Sequence, residues 1–232
     1  MPPPADCRTG LANALRQRTR ALHAQAERTG VIRALLEGRA TRYGYALLLR
    51  NLLPAYQHLE QGLEAHRLTP GIGGLAHAPL YRAAALAADL GELLGHDWSD
   101  ALPLLPAGER YAQAVAAAAD GRGERLAAHA YVRYLGDLNG GRVLKSLLER
   151  TLGLPASALS FYAFPGLPDL DRFKADYRDA LDRAGTEFAD FAAVVAEAEL
   201  AFRLNIDISQ AVQAAAGERA GGTPAGTDIR AR

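Results

Sequence analysis

The sequence is poor in cysteine: Cys7 is the only one in 232 residues. A single cysteine closes no internal disulfide and builds no thiolate-rich metal site, and it points to a reducing compartment. Net charge is also absent, since 26 Lys and Arg balance 26 Asp and Glu and the pI is near 7.0. A nucleic-acid binder would normally carry a basic excess, so no nucleic-acid partner is expected. No run approaches the ~18 consecutive apolar residues of a membrane span. The opening MPPPADCRTG lacks the charged start and apolar core of a secretory signal. A cytoplasmic protein without a membrane anchor is therefore expected. Long Val, Ile and Thr alternations are missing as well, which argues against sheet.

What is present is Ala, Leu, Arg and Glu, with 49% hydrophobic and 22% charged residues, an ordinary globular balance with strong helix propensity. Leu11, Leu15, Leu22 and Ala26 repeat at helical spacing, as do Tyr45, Leu48, Leu49, Leu52, Tyr56, Leu59 and Leu63. The pattern predicts helices over 11–28, 41–66, 79–94, 109–119, 124–152, 170–183 and 186–215. Thr41 is the expected N-cap of the second, and Pro54 should kink it. Residues 95–108 read as a loop around Trp98, an aromatic expected to anchor it. Residues 153–169 read as an ordered connector, because Phe161, Tyr162 and Phe164 favour burial. The expected organisation is a single all-α domain over 10–215, with a flexible start (1–9) and a disordered Gly-rich tail (216–232).

Two helices carry faces that a simple core does not require. On the first, Arg16, Arg20, His23 and Glu27 fall within about 60° of one another, beside the apolar stripe. A histidine at such an edge can aim one ring nitrogen inward while Glu27, four residues on, accepts from the other directly or through water. That arrangement holds a ligating imidazole in one tautomer and keeps it neutral. Arginines nearby suit anionic groups of the same ligand. A solvated His–Glu pair is the plainer reading of this helix taken alone.

The second helix reads His129-Ala-Tyr-Val-Arg-Tyr-Leu-Gly-Asp-Leu-Asn-Gly-Gly-Arg142. Arg133, Gly136, Asp137, Gly140 and Gly141 share a face where a core helix would place Leu or Ile. Three helical glycines cost about 1 kcal/mol each, roughly 3 kcal/mol together. Close helix crossing is one reason for such a cost; a flat ligand lying on bare, bent backbone is the other. The carboxylate and guanidinium on that face are left unexplained by crossing alone. A metal macrocycle between the two helices satisfies both, and haem on a proximal histidine is one such construction.

At this point the sequence resembles the haem oxygenase family. Ala130-Tyr-Val-Arg-Tyr-Leu-Gly-Asp-Leu-Asn-Gly-Gly141 resembles that family's distal-helix signature, and Leu15–Glu27 its proximal-histidine helix. Weaker matches follow in order at Asn51–Tyr56, Arg110-Tyr111, Phe173–Arg178 and Leu204-Asn-Ile206. The resemblance covers about 11–208. It implies a single-domain helical fold with haem b held between a proximal and a kinked distal helix, as cofactor and substrate. It further implies oxidative opening of haem to biliverdin, with the Lys174/Arg178 pattern resembling α-cleaving members. Iron and carbon monoxide would be released, using O2 and electrons from a reductase or ferredoxin.

Carried over residue by residue, the resemblance makes His23 the axial ligand and Glu27 its hydrogen-bond partner. Asp137 would anchor distal water together with Tyr56, Tyr111, Arg133 and Asn205. Gly136, Gly140 and Gly141 would form the backbone over the haem. Arg16, Arg20, Lys174 and Arg178 would meet the propionates, and Tyr131 the haem edge. Asn139 replaces a common serine, and Arg16 and Arg20 replace lysines of animal members, which changes geometry at constant charge. The apolar tail of animal members is missing, so a soluble bacterial-type monomer is expected. His58, His66, His77, His96 and His129 show no ligand spacing and are expected to be structural.

Two other functions use parts of the same pattern. A haem carrier or sensor would need His23 and the glycine face but not Asp137. A thiaminase-like hydrolase on a related helical scaffold would need a pocket cysteine, whereas Cys7 lies ahead of the first helix.

Overall fold

The computed structural model describes residues 10–222, with side chains through Arg219. Among these residues the secondary structure is helical throughout, in ten α-helices joined by 3-10 turns and one π segment. In chain order they are α1 (Leu11–Glu27), α2 (Gly30–Leu36), α3 (Arg42–Ala65), α4 (Ala83–Leu94) and α5 (Trp98–Ala101). Then come α6 (Pro106–Ala118), α7 (Leu126–Ala130), α8 (Gly136–Leu152), α9 (Leu170–Glu187) and α10 (Phe191–Gly222). No helix of the described residues is long and apolar enough to cross a membrane.

Buried apolar faces meet around α3 and α10. Helix α10 packs on α1, α2, α3, α6 and α7, while α3 packs on α4 and α6. Leu11, Leu15, Leu47, Leu59, Leu63, Leu86 and Val194 are fully buried in one continuous core. Removing apolar surface from water at this scale is the main stabilising contribution. Asn51, wholly buried on α3, uses its whole amide: Nδ2 donates to the carbonyls of Leu47 (2.8 Å) and Pro103 (3.3 Å), and Oδ1 accepts from Leu105 N (2.7 Å). It thereby sets where α6 begins.

Helix ends are decided by tertiary partners as often as by local caps. Thr41 caps α3 as the sequence suggests, its hydroxyl accepting from Gly44 N at 3.0 Å. Helix α3 runs on through Pro54 to Ala65. Helix α4 starts at Ala83 and not at Pro79, which lies in a 3-10 turn. The reason is Glu60 of α3, whose carboxylate accepts from Arg82 N (2.5 Å) and Ala83 N (2.9 Å). Asp182 of α9 likewise accepts from Ala12 N at 2.7 Å and closes the start of α1.

Several boundaries differ from the sequence reading. Helix α2 falls where no helix was expected. Its first residue, Gly30 (φ +56°), lies so close to α10 that a Cβ would stand 2.2 Å from the Ser209 carbonyl oxygen. Helix α6 starts at Pro106, three residues early, because proline at the first position loses no intrahelical bond. The expected 124–152 helix is divided by π-helical Tyr131–Leu135, ahead of the glycines, and Gly140–Gly141 lie inside regular α8. Helix α9 extends to Glu187, and α10 starts at Phe191. Helix α10 also continues to Gly222, past the point where a disordered tail was expected to begin. The expected flexible start, with Cys7, and residues 223–232 lie outside the described residues.

Candidate functional site: a cavity between α1 and α8

Between α1 and α8 lies a cavity of about 1120 Å³, above the usual range for small-molecule pockets of roughly 300–1,000 Å³. His23, Arg16, Arg20 and Glu27 of α1 line one side; Arg133, Gly136, Asp137, Gly140 and Gly141 line the other. Leu48, Leu49, Leu52, Phe161, Tyr162 and Phe202 supply apolar walls.

The glycines answer the question their cost raised. A Cβ built on Gly136 or Gly140 meets nothing within 4 Å, so these two open onto the cavity and support no helix crossing. Gly141 differs: a Cβ there would come 3.2 Å from Tyr162 Cδ1. It lets Tyr162 pack against α8 as well as bordering the cavity.

His23 is more than half exposed, and that exposure faces the cavity it lines. Its ring meets Phe202 edge-on with centroids 5.8 Å apart. Glu27 Oε1 stands 3.7 Å from Nδ1, beyond hydrogen-bond reach but near enough to bridge through water. Of the two expected forms of this contact, direct or through water, the separation leaves the second. A lone imidazole is too little to hold a bare ion. It suits a metal already held in a macrocycle.

Opposite, Asp137 is the centre of a polar cluster. Tyr56 Oη donates to Asp137 Oδ2 at 2.6 Å. The Arg133 guanidinium lies over the Tyr56 ring (5.7 Å) and the Tyr111 ring (5.9 Å). Asn205 Nδ2 donates to Tyr111 Oη at 3.3 Å and to Ala201 O at 2.8 Å. All five expected residues thus meet. Burial raises the Asp137 carboxyl to about 6, against the opposing pull of Arg133, the Tyr56 hydroxyl and Arg82. Burial also raises the Tyr56 and Tyr111 phenols.

The rim is basic. Arg16, Arg20 and Arg178 border the cavity, as does Tyr131. Burial lifts the Tyr131 phenol, while Thr19, Arg16 and Arg178 act against that rise. Lys174 does not join them: its ammonium bonds Asp171 Oδ1 at 2.7 Å, three residues away on α9, and it is not among the lining residues.

Other site residues were not legible in the sequence. His129, fully buried, bonds Glu197 Oε1 at 3.0 Å through Nε2 and packs on Tyr111 at 5.7 Å. Its expected structural role stands, with a partner on another helix. His66 and His77 bond the carbonyls of Ala119 (2.8 Å) and Gly74 (3.1 Å). Arg82 and Asp89, both buried, hold the connector that carries Phe161 and Tyr162.

An all-helical domain with an exposed imidazole facing bare helix backbone and a protonatable carboxylate belongs to the class of helical proteins built around a haem-sized cavity. The comparisons then place it more narrowly. The model of the family described as Heme oxygenase matches residues 9–211. Heme oxygenase 1 of Pongo abelii is 36% identical over 220 residues, covering 91% of this chain and 75% of that protein. Heme oxygenase 1 of Nostoc sp. is 34% identical, covering 88% and 87%. The crystal structure of heme oxygenase-1 from the cyanobacterium Synechocystis sp. in complex with heme superposes with a TM-score of 0.84 at 29% identity, covering 91% of this chain and 96% of that one. The chain belongs to the Heme oxygenase family of haem-degrading enzymes.

Proposed function

We propose that this protein opens haem b to biliverdin, predominantly the α isomer, with release of ferrous iron and carbon monoxide. O2 is the oxidant and a reductase or ferredoxin the electron donor. The observation that carries the reading is the Tyr56–Asp137 bond at 2.6 Å on the cavity face opposite His23. A carrier has no use for a half-buried carboxylate there.

The residues fit the substrate. Gly136 and Gly140 leave room for a flat ring against α8, where any side chain would intrude. His23 reaches the cavity from α1 and can bind the iron through its imidazole, with Glu27 holding the other nitrogen through water. Arg16, Arg20 and Arg178 offer guanidinium forks for the propionates. Leu48, Leu49 and Leu52 exclude water from one side. Bound haem itself supplies the redox metal and the carbon that is oxidised.

The chain's own contribution on the distal side is proton control. Asp137 titrates near pH 6, close to working pH, where a general acid–base group is most useful. Tyr56 fixes one carboxylate oxygen, leaving the rest of the group toward the cavity. An ionised carboxylate only accepts hydrogen bonds, so it acts through water it orders. Arg133 over the Tyr111 ring and Asn205 on the Tyr111 hydroxyl make a fixed polar backing against which such water would order. An imidazole ligand from His23 would avoid the electron push of a thiolate.

The test is to add hemin and then a reductant in air. A sharp Soret band that decays as biliverdin absorption grows supports the reading. A stable oxygen complex would mark a carrier, and no Soret band would remove haem from consideration. Chromatography of the verdin isomers tests the α assignment.

A further inference from the structure

Asp89 is a carboxylate with no exposure at all, on the inner face of α4. Burying an ionised group unpaired would cost several kcal/mol, so its partners explain its presence. All three direct donors come from one turn: Ser160 N (2.8 Å), Ser160 Oγ (2.6 Å) and Phe161 N (2.9 Å). Burial still raises the carboxyl, which those bonds oppose. The other end of the same segment is held by a second buried charge. Arg82 donates to the carbonyls of Ala163, Pro79 (3.0 Å) and Leu80 (3.1 Å), and its guanidinium lies 4.2 Å over the Phe164 ring.

Two buried charges therefore grip a stretch of five residues that has no regular structure beyond one 3-10 turn. A turn that only filled a core would not need this. The stretch carries Phe161 and Tyr162, which line the cavity. Phe161 meets the Tyr56 ring edge-on (5.6 Å, 85°) and Tyr162 at 4.9 Å. Tyr162 in turn abuts Gly141. The wall thus touches both Tyr56, which holds Asp137, and the helix under which the ring would lie.

We propose that Asp89 is a positioning residue that fixes the Phe161–Tyr162 wall and, through it, the in-plane seating of the haem. It touches no substrate. The proposal rests on the haem reading above. With the wall fixed, one rotational orientation of the ring fits the cavity. With the wall loosened, a second becomes populated, and the meso carbon presented for attack changes with it.

The experiment compares Asp89→Asn with the unaltered protein, each loaded with hemin and cyanide, by proton NMR of the hyperfine-shifted ring methyls. Asn keeps the shape but turns an amide donor toward the turn's own N–H groups, so it loses at least one of the three bonds. The unaltered protein should give one dominant methyl set, and the variant a second set with a retained Soret band. A mixed isomer pattern in the verdin product would follow. Thermal unfolding is read in parallel. A lowered melting temperature with an unchanged methyl pattern overturns the proposal, because a purely structural role moves the first alone. If Asp89→Asn does not fold, Phe161→Leu removes the wall directly, and an unchanged pattern there overturns it too. Absence of a Soret band in the unaltered protein would instead overturn the haem reading.

Discussion

Replacing Asp137 by Asn should stabilise the haem-free protein while ending verdin formation. Burial raises this carboxyl from 3.8 to about 6. The folded state therefore keeps its proton up to about pH 6, whereas the unfolded chain releases it near pH 4. Between those values the folded state binds more protons, so stability falls as pH rises, and above pH 6 the penalty is complete. A gap of about two pH units at roughly 1.4 kcal/mol each sets a ceiling of about 3 kcal/mol. Asp137 keeps one side toward the cavity, where water screens it, so about 1–2 kcal/mol is expected at pH 7.5. For a domain of this size that is a rise of roughly 2–8 °C in melting temperature. Asn still accepts from Tyr56 Oη, so the geometry is retained. Urea unfolding followed by circular dichroism at pH 7.5 and pH 4 is the measurement. The gain should be present at the first and vanish at the second. An equal gain at both, or a loss at pH 7.5, would refute the claim that an ionised, desolvated Asp137 strains the fold.

Three further outcomes are expected, besides the methyl-resonance test of Asp89. His23→Ala should abolish the sharp Soret band in a hemin titration yet move apo stability by no more than about 0.5 kcal/mol, since the side chain is exposed. Gly140→Leu should raise apo stability by about 0.5–1 kcal/mol through helix propensity. It should also weaken hemin binding at least about tenfold (1.4 kcal/mol) by filling the open space. Gly141→Ala should gain nothing on stability, because Tyr162 must yield by a few tenths of an ångström and offsets the roughly 1 kcal/mol of helix propensity, and differential scanning of both variants separates the two glycines.

Periodicity found the long helices because their apolar stripes repeat over many turns. Helix α2 escaped because its seven residues are too short for a period to show, and because its start is fixed by contact with Ser209. The glycine face and Asp137 stood out locally as residues out of place in a core. Tyr56, Tyr111 and Asn205 did not. They lie on three other helices, and only the family resemblance linked them to Asp137. Asp89, Arg82 and the His129–Glu197 pair had neither signal, since each acts on partners about 70–80 residues away. A buried charge read in sequence does not announce what it faces. Lys174 fits the motif by position, and its ion pair with Asp171 one turn earlier is something no motif announces.

The π segment at Tyr131–Leu135 gives chain length a meaning of its own. Such a segment accommodates one more residue than the α turn it interrupts. Deleting a single residue there would let the two halves merge into an ordinary helix, with every hydrogen bond satisfied. Because the wide turn absorbs the extra residue, Gly136, Asp137 and Gly140 would keep their angular place, and the segment's own side chains, Arg133 among them, would be re-aimed. A chain so shortened could fold soundly and yet aim the Arg133 guanidinium away from Tyr56 and Tyr111. Spacing at this point thus shapes the site as much as any side chain does.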